Sequence, residues 1–146
     1  MALKASTALR NNMLAVGSLK SQLDGGFILI YADTVPSDAD ASTGGARLLS
    51  TITVGGVAGA GLTLDATAAL GTIAKANEIW QGVNTTTGTA TFWRFVKTGD
   101  TGGASTTAVR LQGNAAVSGS ELVMTSVTLV SGATQTIDYF SVSLPA

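Results

Sequence analysis

The chain has 146 residues, a length typical of one domain, and 45% of its residues are hydrophobic whereas only 12% are charged. It contains neither cysteine nor histidine, which excludes disulfides, thiolate-bound metal centres and catalytic triads that need a histidine base. The formal net charge is −1 and the eight basic residues are scattered along the sequence, so binding to a nucleic-acid backbone is not expected.

The sequence indicates neither a membrane-spanning helix nor a secretory signal. No apolar run approaches the ~20 residues that a membrane-spanning helix needs. The first residues lack the charged region and apolar core of a secretory signal. We therefore expect no membrane partner, and synthesis in a cytoplasm is the simplest interpretation.

Residues 6–23 carry apolar side chains at helical spacing. The stripe consists of Leu9, Met13 and Val16, continued by Lys20 and widened by Leu14 and Leu19. Gly17 lies inside the pattern and is expected to weaken or break the helix, and Gly25 and Gly26 are expected to end it. Residues 1–25 are therefore predicted to form an N-terminal helical arm, and residues 26–146 a separate β domain.

After residue 26 the hydrophobic pattern changes to the period of two that is typical of strands. The predicted strands are residues 27–31, 47–54, 62–64, 72–75, 78–83, 89–96, 107–112, 121–130 and 135–144. The turn at 84–88 indicates that 78–83 and 89–96 pair as a hairpin. Frequent turns between short strands predict an all-β fold, an antiparallel two-sheet sandwich resembling a jelly roll.

One polar loop places Asp33, Asp38 and Asp40 close together in the sequence. Oxygen ligands at alternate positions suit Ca²⁺, but a closing glutamate is missing. We favour a solvated polar loop and predict no metal site, cofactor site or catalytic residue. A hydrolase based on carboxylates alone would need Glu78 and Glu121 to meet across one bond, and nothing in the sequence brings them together. The chain is therefore not expected to be an enzyme.

The predicted hairpin holds both tryptophans and an arginine. These side chains either fill the core, bind a partner protein, or stack on sugar rings as in a carbohydrate-binding module. Together with the helical stripe they give the candidate interface residues, which are Leu9, Met13, Val16, Leu19, Trp80, Trp93 and Arg94. Because charges are sparse, we expect an interface of apolar and backbone contacts that supports self-association, with a trimer favoured.

Four segments resemble small virion proteins of tailed bacteriophages. They are residues 4–31 (KASTALRNNMLAVGSLKSQLDGGFILIY), 78–82 (EIWQG), 88–95 (GTATFWRF) and 132–139 (GATQTIDY). The resemblance implies a structural protein of the virion, made in the cytoplasm of a bacterial host, whose partners are the major capsid protein or other virion proteins. A head decoration (cement) protein is the first choice, and a tail or neck component or a glycan-binding module is the alternative.

Overall fold

The computed structural model describes residues 3–144. Two helices, α1 (Thr7–Ala15) and α2 (Leu19–Leu23), stand near its start. Each begins at a serine whose hydroxyl accepts a backbone N–H: Ser6 Oγ from Leu9 at 3.2 Å, and Ser18 Oγ from Ser21 at 3.1 Å. The predicted helix is thus present and is interrupted at Gly17, as its sequence indicates.

Short strands make up most of the remaining regular structure. They are β1 (Lys4–Ala5), β2 (Phe27–Tyr31), β3 (Leu48–Val54), β4 (Thr72–Ala74), β5 (Trp80–Val83), β6 (Gly88–Thr89), β7 (Phe92–Val96), β8 (Arg110–Asn114), β9 (Leu122–Val123), β10 (Thr128–Leu129), β11 (Thr134–Ile137) and β12 (Tyr139–Ser143). Within residues 3–144 these strands pair antiparallel. The prediction of a mostly β, antiparallel protein is confirmed.

The described strands form sheets of seven, three and two strands. The large sheet has the order β1-β8-β7-β2-β3-β5-β11, and the smaller sheets have the orders β4-β12-β9 and β10-β6. Strand β2 lies in the middle of the large sheet, paired with both β3 and β7. A central strand has side chains covered on both faces, which explains its uninterrupted apolar run.

The predicted hairpin between residues 78–83 and 89–96 is wrong. Strand β5 pairs with β3 and β11, whereas β7 pairs with β2 and β8. The connection does not turn back directly, because Asn84 N–H bonds to Ala133 O and Thr85 N–H bonds to Leu49 O, each at 2.8 Å. Strand β6 then pairs with β10 in the two-stranded sheet before the chain enters β7.

Aromatic residues of the large sheet and of the three-stranded sheet meet in the core. Phe140 on β12 packs against Trp80, Trp93 and Phe95 of the large sheet, with ring centroids 5.5, 5.3 and 5.9 Å away. Tilted and edge-on contacts of this kind stabilise aromatic clusters beyond simple burial. Trp93 needs a glycine opposite it, because a Cβ at Gly113 would lie 2.5 Å from its ring.

The other face of the large sheet is covered by the loop between β2 and β3. Buried polar side chains of β7 and β8 hold this loop through its carbonyl oxygens. The bonds are Arg94 Nη2 to Ala41 O (2.7 Å), Arg110 Nη1 to Ala39 O (3.1 Å) and Gln112 Nε2 to Pro36 O (3.0 Å). Because the loop backbone satisfies these donors, polar residues can occupy a buried face.

Residues 3–25 do not form an arm outside the β domain, which corrects the expectation for the N-terminal segment; Met1 and Ala2 lie outside the described residues. Leu9 and Leu23 are 0% exposed and belong to the same core as the sheet residues. Strand β1 pairs with β8 at the edge of the large sheet, and Ser6 Oγ accepts the backbone N–H of Arg110 at 3.0 Å. The apolar side of the helices is used to close this end of the core.

Candidate functional site

Four of the predicted interface residues are buried in the single chain, namely Leu9, which is described with the groove below, and three residues of the predicted hairpin. Trp80 and Trp93 are 0% exposed and Arg94 is 1% exposed. They cannot contact a partner protein, and the two tryptophans cannot stack on a sugar ring. Of the three alternatives for the aromatic residues and the arginine, packing in the core is confirmed, and Trp80, Trp93 and Arg94 are withdrawn as interface candidates.

Arg94 and Arg110 instead form a buried polar cluster with Asp100 and Gln112. Arg94 Nε donates to Gln112 Oε1 at 2.9 Å, and Arg110 donates from Nε and Nη2 to the two Asp100 oxygens at 2.6 and 2.8 Å. Burial works to raise the pKa of Asp100, but hydrogen bonds from Arg110 and the Gly102 N–H outweigh it and hold that pKa below its usual value. Burial, together with the nearby Arg110, lowers the pKa of Arg94. The cluster fastens two loops onto the sheet and is structural.

The three aspartates of the polar loop do not converge. Asp33 pairs with Arg47, whose Nε lies 3.0 Å from Asp33 Oδ2, and Asp38 Oδ1 accepts the N–H of Ala41 at 2.9 Å. Asp40 accepts the N–H and hydroxyl of Thr7, which lowers its pKa. Across residues 3–144 no group of three or more acidic, histidine or cysteine side chains is placed to hold a metal ion.

The two glutamates lie in unrelated settings. Glu78 Oε1 accepts the Thr63 N–H and the Trp80 Nε1–H, both at 2.8 Å, and so closes a turn beside the core. Glu121 stands before β9, and its carbonyl oxygen accepts the Ser141 N–H. The geometry gives no support to a carboxylate-based hydrolase.

An open apolar groove of about 490 Å³ lies where α1 and α2 meet the edge of the large sheet and the end of β12. Three predicted interface residues, Leu9, Met13 and Leu19, line it, whereas Val16 lies beyond the end of α1, 74% exposed, and does not. The other lining residues are Leu3, Ala5, Arg10, Leu14, Leu111, Val142, Ser143 and Leu144. Apart from Arg10 and Ser143, every lining side chain is apolar.

The groove is the place where the hydrophobic core reaches the surface. Along β12 and just beyond it, Phe140 is 2% exposed, Val142 4% and Leu144 61%, so one face of the strand runs from the core to solvent. On α1 the same change occurs between Leu9 at 0% and Leu14 at 86%. The floor is therefore built by residues that also stabilise the fold, and the rim is built by exposed leucines. Exposed apolar rims of this kind are typical of interaction sites.

One exposed residue beside the groove was missed by the sequence analysis. Leu70 is 104% exposed and stands at the tip of a two-residue turn closed by paired hydrogen bonds between Ala69 and Thr72, both 2.9 Å. Leu144, on the groove rim, donates its N–H to Gly71 O at 3.0 Å, which places the tip next to the rim. The sequence feature that could have identified it is the pair Leu70-Gly71, because leucine stands at a turn position where asparagine is usual.

The chain matches no protein-family model, no curated protein sequence and no solved structure. None of the helices within residues 3–144 has the length and apolar character needed to cross a membrane.

Proposed function

We propose that the chain is a non-enzymatic structural protein of a bacteriophage virion, a capsid decoration or cement protein that binds the major capsid protein or another virion protein. The observation that carries the proposal is the apolar groove with its exposed rim residues Leu14 and Leu144. The resemblance of residues 4–31, 78–82, 88–95 and 132–139 to tailed-phage virion proteins supports the virion as its location, after synthesis in the host cytoplasm.

The energetics of binding many copies around a capsid favour an apolar groove of this kind. Burying one leucine side chain completely contributes roughly 1.5–3 kcal/mol, so one groove gives modest affinity. Many copies bound around a capsid act together through multivalency, and no single site has to be strong. A protein that adds stability by contact alone needs a docking surface and no catalytic group.

Basic side chains are largely engaged within the chain, which supports a protein partner over a nucleic acid. Arg94 and Arg110 are buried, and Lys20 and Arg47 form ion pairs with Asp24 and Asp33 at 2.6 and 3.0 Å. Few positive charges are left to neutralise phosphates, and phosphate contacts dominate affinity for nucleic acids.

The finer fold assignment and the oligomeric state are part of the same proposal. The contact of Phe140 with the aromatic residues of the large sheet supports a two-sheet sandwich. A jelly-roll order of the strand connections stays part of the proposal. The charge-poor surface supports a homo-oligomer, with a trimer favoured.

Purified phage particles that carry this protein provide the direct test. The protein should co-purify with intact particles, and density in a particle reconstruction should place it on the outer face of the head. Density at the tail or neck would favour the alternative virion role. Absence from particles, combined with binding on a glycan array, would contradict the proposal and favour a glycan-binding module.

A further inference from the structure

Leu70 occupies a backbone conformation and an environment that both disfavour leucine. Its φ is +52°, and the following Gly71 has a φ of +75°, so the turn has two consecutive left-handed residues. This is the pattern of a type I′ turn, in which asparagine, aspartate or glycine is strongly preferred at both positions. A leucine side chain is strained there, and an apolar side chain gains nothing from full exposure.

Strained residues of this kind persist where they serve a function. Packing within its own chain does not explain why a leucine occupies position 70, because the residue is 104% exposed. The turn positions it firmly, since two hydrogen bonds of 2.9 Å close the loop between Ala69 and Thr72. Thr72 is tied to Ser143 in turn, through their hydroxyl groups at 2.6 Å. Leu70 is therefore an apolar knob on a rigid support.

The groove that this knob suits is on the same surface of the molecule. Gly71 and Thr72 bond to Leu144 and Ser143, and both partners line the groove. Its apolar lining and volume of about 490 Å³ accommodate a leucine side chain. An apolar knob and an apolar groove that border each other make the surface complementary to itself, which is the requirement for contact between identical chains.

We propose that the groove of one copy receives Leu70 from a second copy of this chain. The inference rests on the proposed function and specifies it: the virion protein that the groove binds is a neighbouring copy of this chain on the capsid. Association buries Leu70 together with the rim residues Leu14 and Leu144, and this burial is the function that the strained turn serves. With sparse charge around the groove, the contact is apolar and insensitive to salt.

The variant Leu70→Asn tests the inference, because asparagine tolerates a positive φ and removes the apolar knob. Sedimentation equilibrium of the full chain should show self-association weakened at least tenfold, while the melting temperature stays equal or rises. Val57→Asn is the matched control, since Val57 is 62% exposed and does not line the groove. It should associate like the parent chain.

Single-cysteine variants give a second, independent measurement, because the chain has no cysteine of its own. When Leu70→Cys is mixed with Leu14→Cys under mild oxidation, a mixed disulfide should form faster than when Val57→Cys replaces Leu14→Cys. A parent chain that stays monomeric at all concentrations, or equal association of Leu70→Asn and the parent, would overturn the inference. Co-purification of the parent chain with phage particles is measured separately. If the parent chain co-purifies with particles but does not self-associate, the inference fails and the proposed function stands.

Discussion

Arg110 and Asp100 form a bidentate ion pair inside the protein, with Nε–Oδ2 and Nη2–Oδ1 distances of 2.6 and 2.8 Å. Their side chains are only 2% and 8% exposed. Arg110 also donates to the carbonyl oxygens of Ala39 and Gly103, which belong to two different loops. The pair therefore ties both loops to strand β8, and its charges are satisfied only while the loops remain in place.

Replacing Asp100 by alanine should destabilise the fold strongly. The change leaves the buried Arg110 without its counter-charge, beside Arg94, and loss of one partner of a buried pair costs about 3–5 kcal/mol. Urea unfolding followed by circular dichroism measures this loss. Asp138→Ala is the control, because Asp138 is exposed, and it should change stability by less than about 0.5 kcal/mol. Equal stability of the two variants would contradict the role of the pair.

The pH dependence of stability follows from the lowered pKa of Asp100 and of Asp40. A carboxyl group with a folded pKa below its unfolded value of about 3.9 contributes stability that is fully present above that value. This stability is lost as the pH falls through the folded pKa. Because the chain has no histidine, stability should be nearly constant between about pH 5 and 8 and decline below about pH 4. Thermal melts in a pH series measure the decline, which should be smaller in Asp100→Asn, and a transition near pH 6.5 would contradict this account.

Two leucines of helix α1 separate the core role from the surface role. Leu9→Ala removes a fully buried side chain and should cost about 2–5 kcal/mol of unfolding free energy. Leu14→Ala, on the same helix but 86% exposed, should cost less than about 0.5 kcal/mol. Deletion of residues 1–23 should likewise unfold the β domain, since it removes Leu9, Leu23 and strand β1. A deletion variant that keeps its β-type circular dichroism would show that the sheets are stable without the helices.

The helical stripe shows what the sequence can predict about residues 6–23 and what it leaves open. Its period correctly predicted a helix and marked Leu9, Met13 and Leu19, which line the groove. The same pattern is produced by a helix that closes a core and by one that binds a partner, because both need an apolar side. Only the pairing of β1 with β8, a contact between distant parts of the chain, decides that Leu9 faces inward.

Arg94 and strand β5 illustrate what local patterns miss. The sequence left core, interface and glycan site open for Arg94. A loop from elsewhere in the chain covers this residue and accepts its hydrogen bonds, which places it in the interior. Strand β5 lies close in sequence to β7, yet it pairs with β3 and β11. Alternation determines which face a side chain occupies, whereas strand order depends on long-range contacts that alternation does not encode.

Chelation should leave stability unchanged. Asp33, Asp38 and Asp40 each bond to a different partner within the chain, so their carboxylates do not converge on one point. Melting temperatures measured with and without EDTA should agree, and added Ca²⁺ should not raise them. A fall with EDTA that Ca²⁺ alone reverses would require these aspartates to form a binding site.

The proposed function predicts that the groove governs attachment to phage particles through apolar contact. Leu14→Asp places a charge on the exposed rim of the groove without disturbing the core, since Leu14 is 86% exposed. Burying that charge between neighbouring copies is costly. Because copies that hold one another attach together, occupancy on phage particles should fall at least tenfold, whereas Val57→Asp, 62% exposed and outside the groove, should bind normally.

The salt response separates this interface from an electrostatic one. At about 1 M salt the Debye length is about 3 Å, so attraction between exposed charges is largely screened, whereas apolar burial is not weakened. The parent chain should therefore remain on particles when they are washed in about 1 M sodium chloride, and quantitative gel analysis of the pelleted particles measures what is retained. Release of the parent chain by that wash, together with normal binding of Leu14→Asp, would mean that charged groups outside the groove hold the protein on the particle.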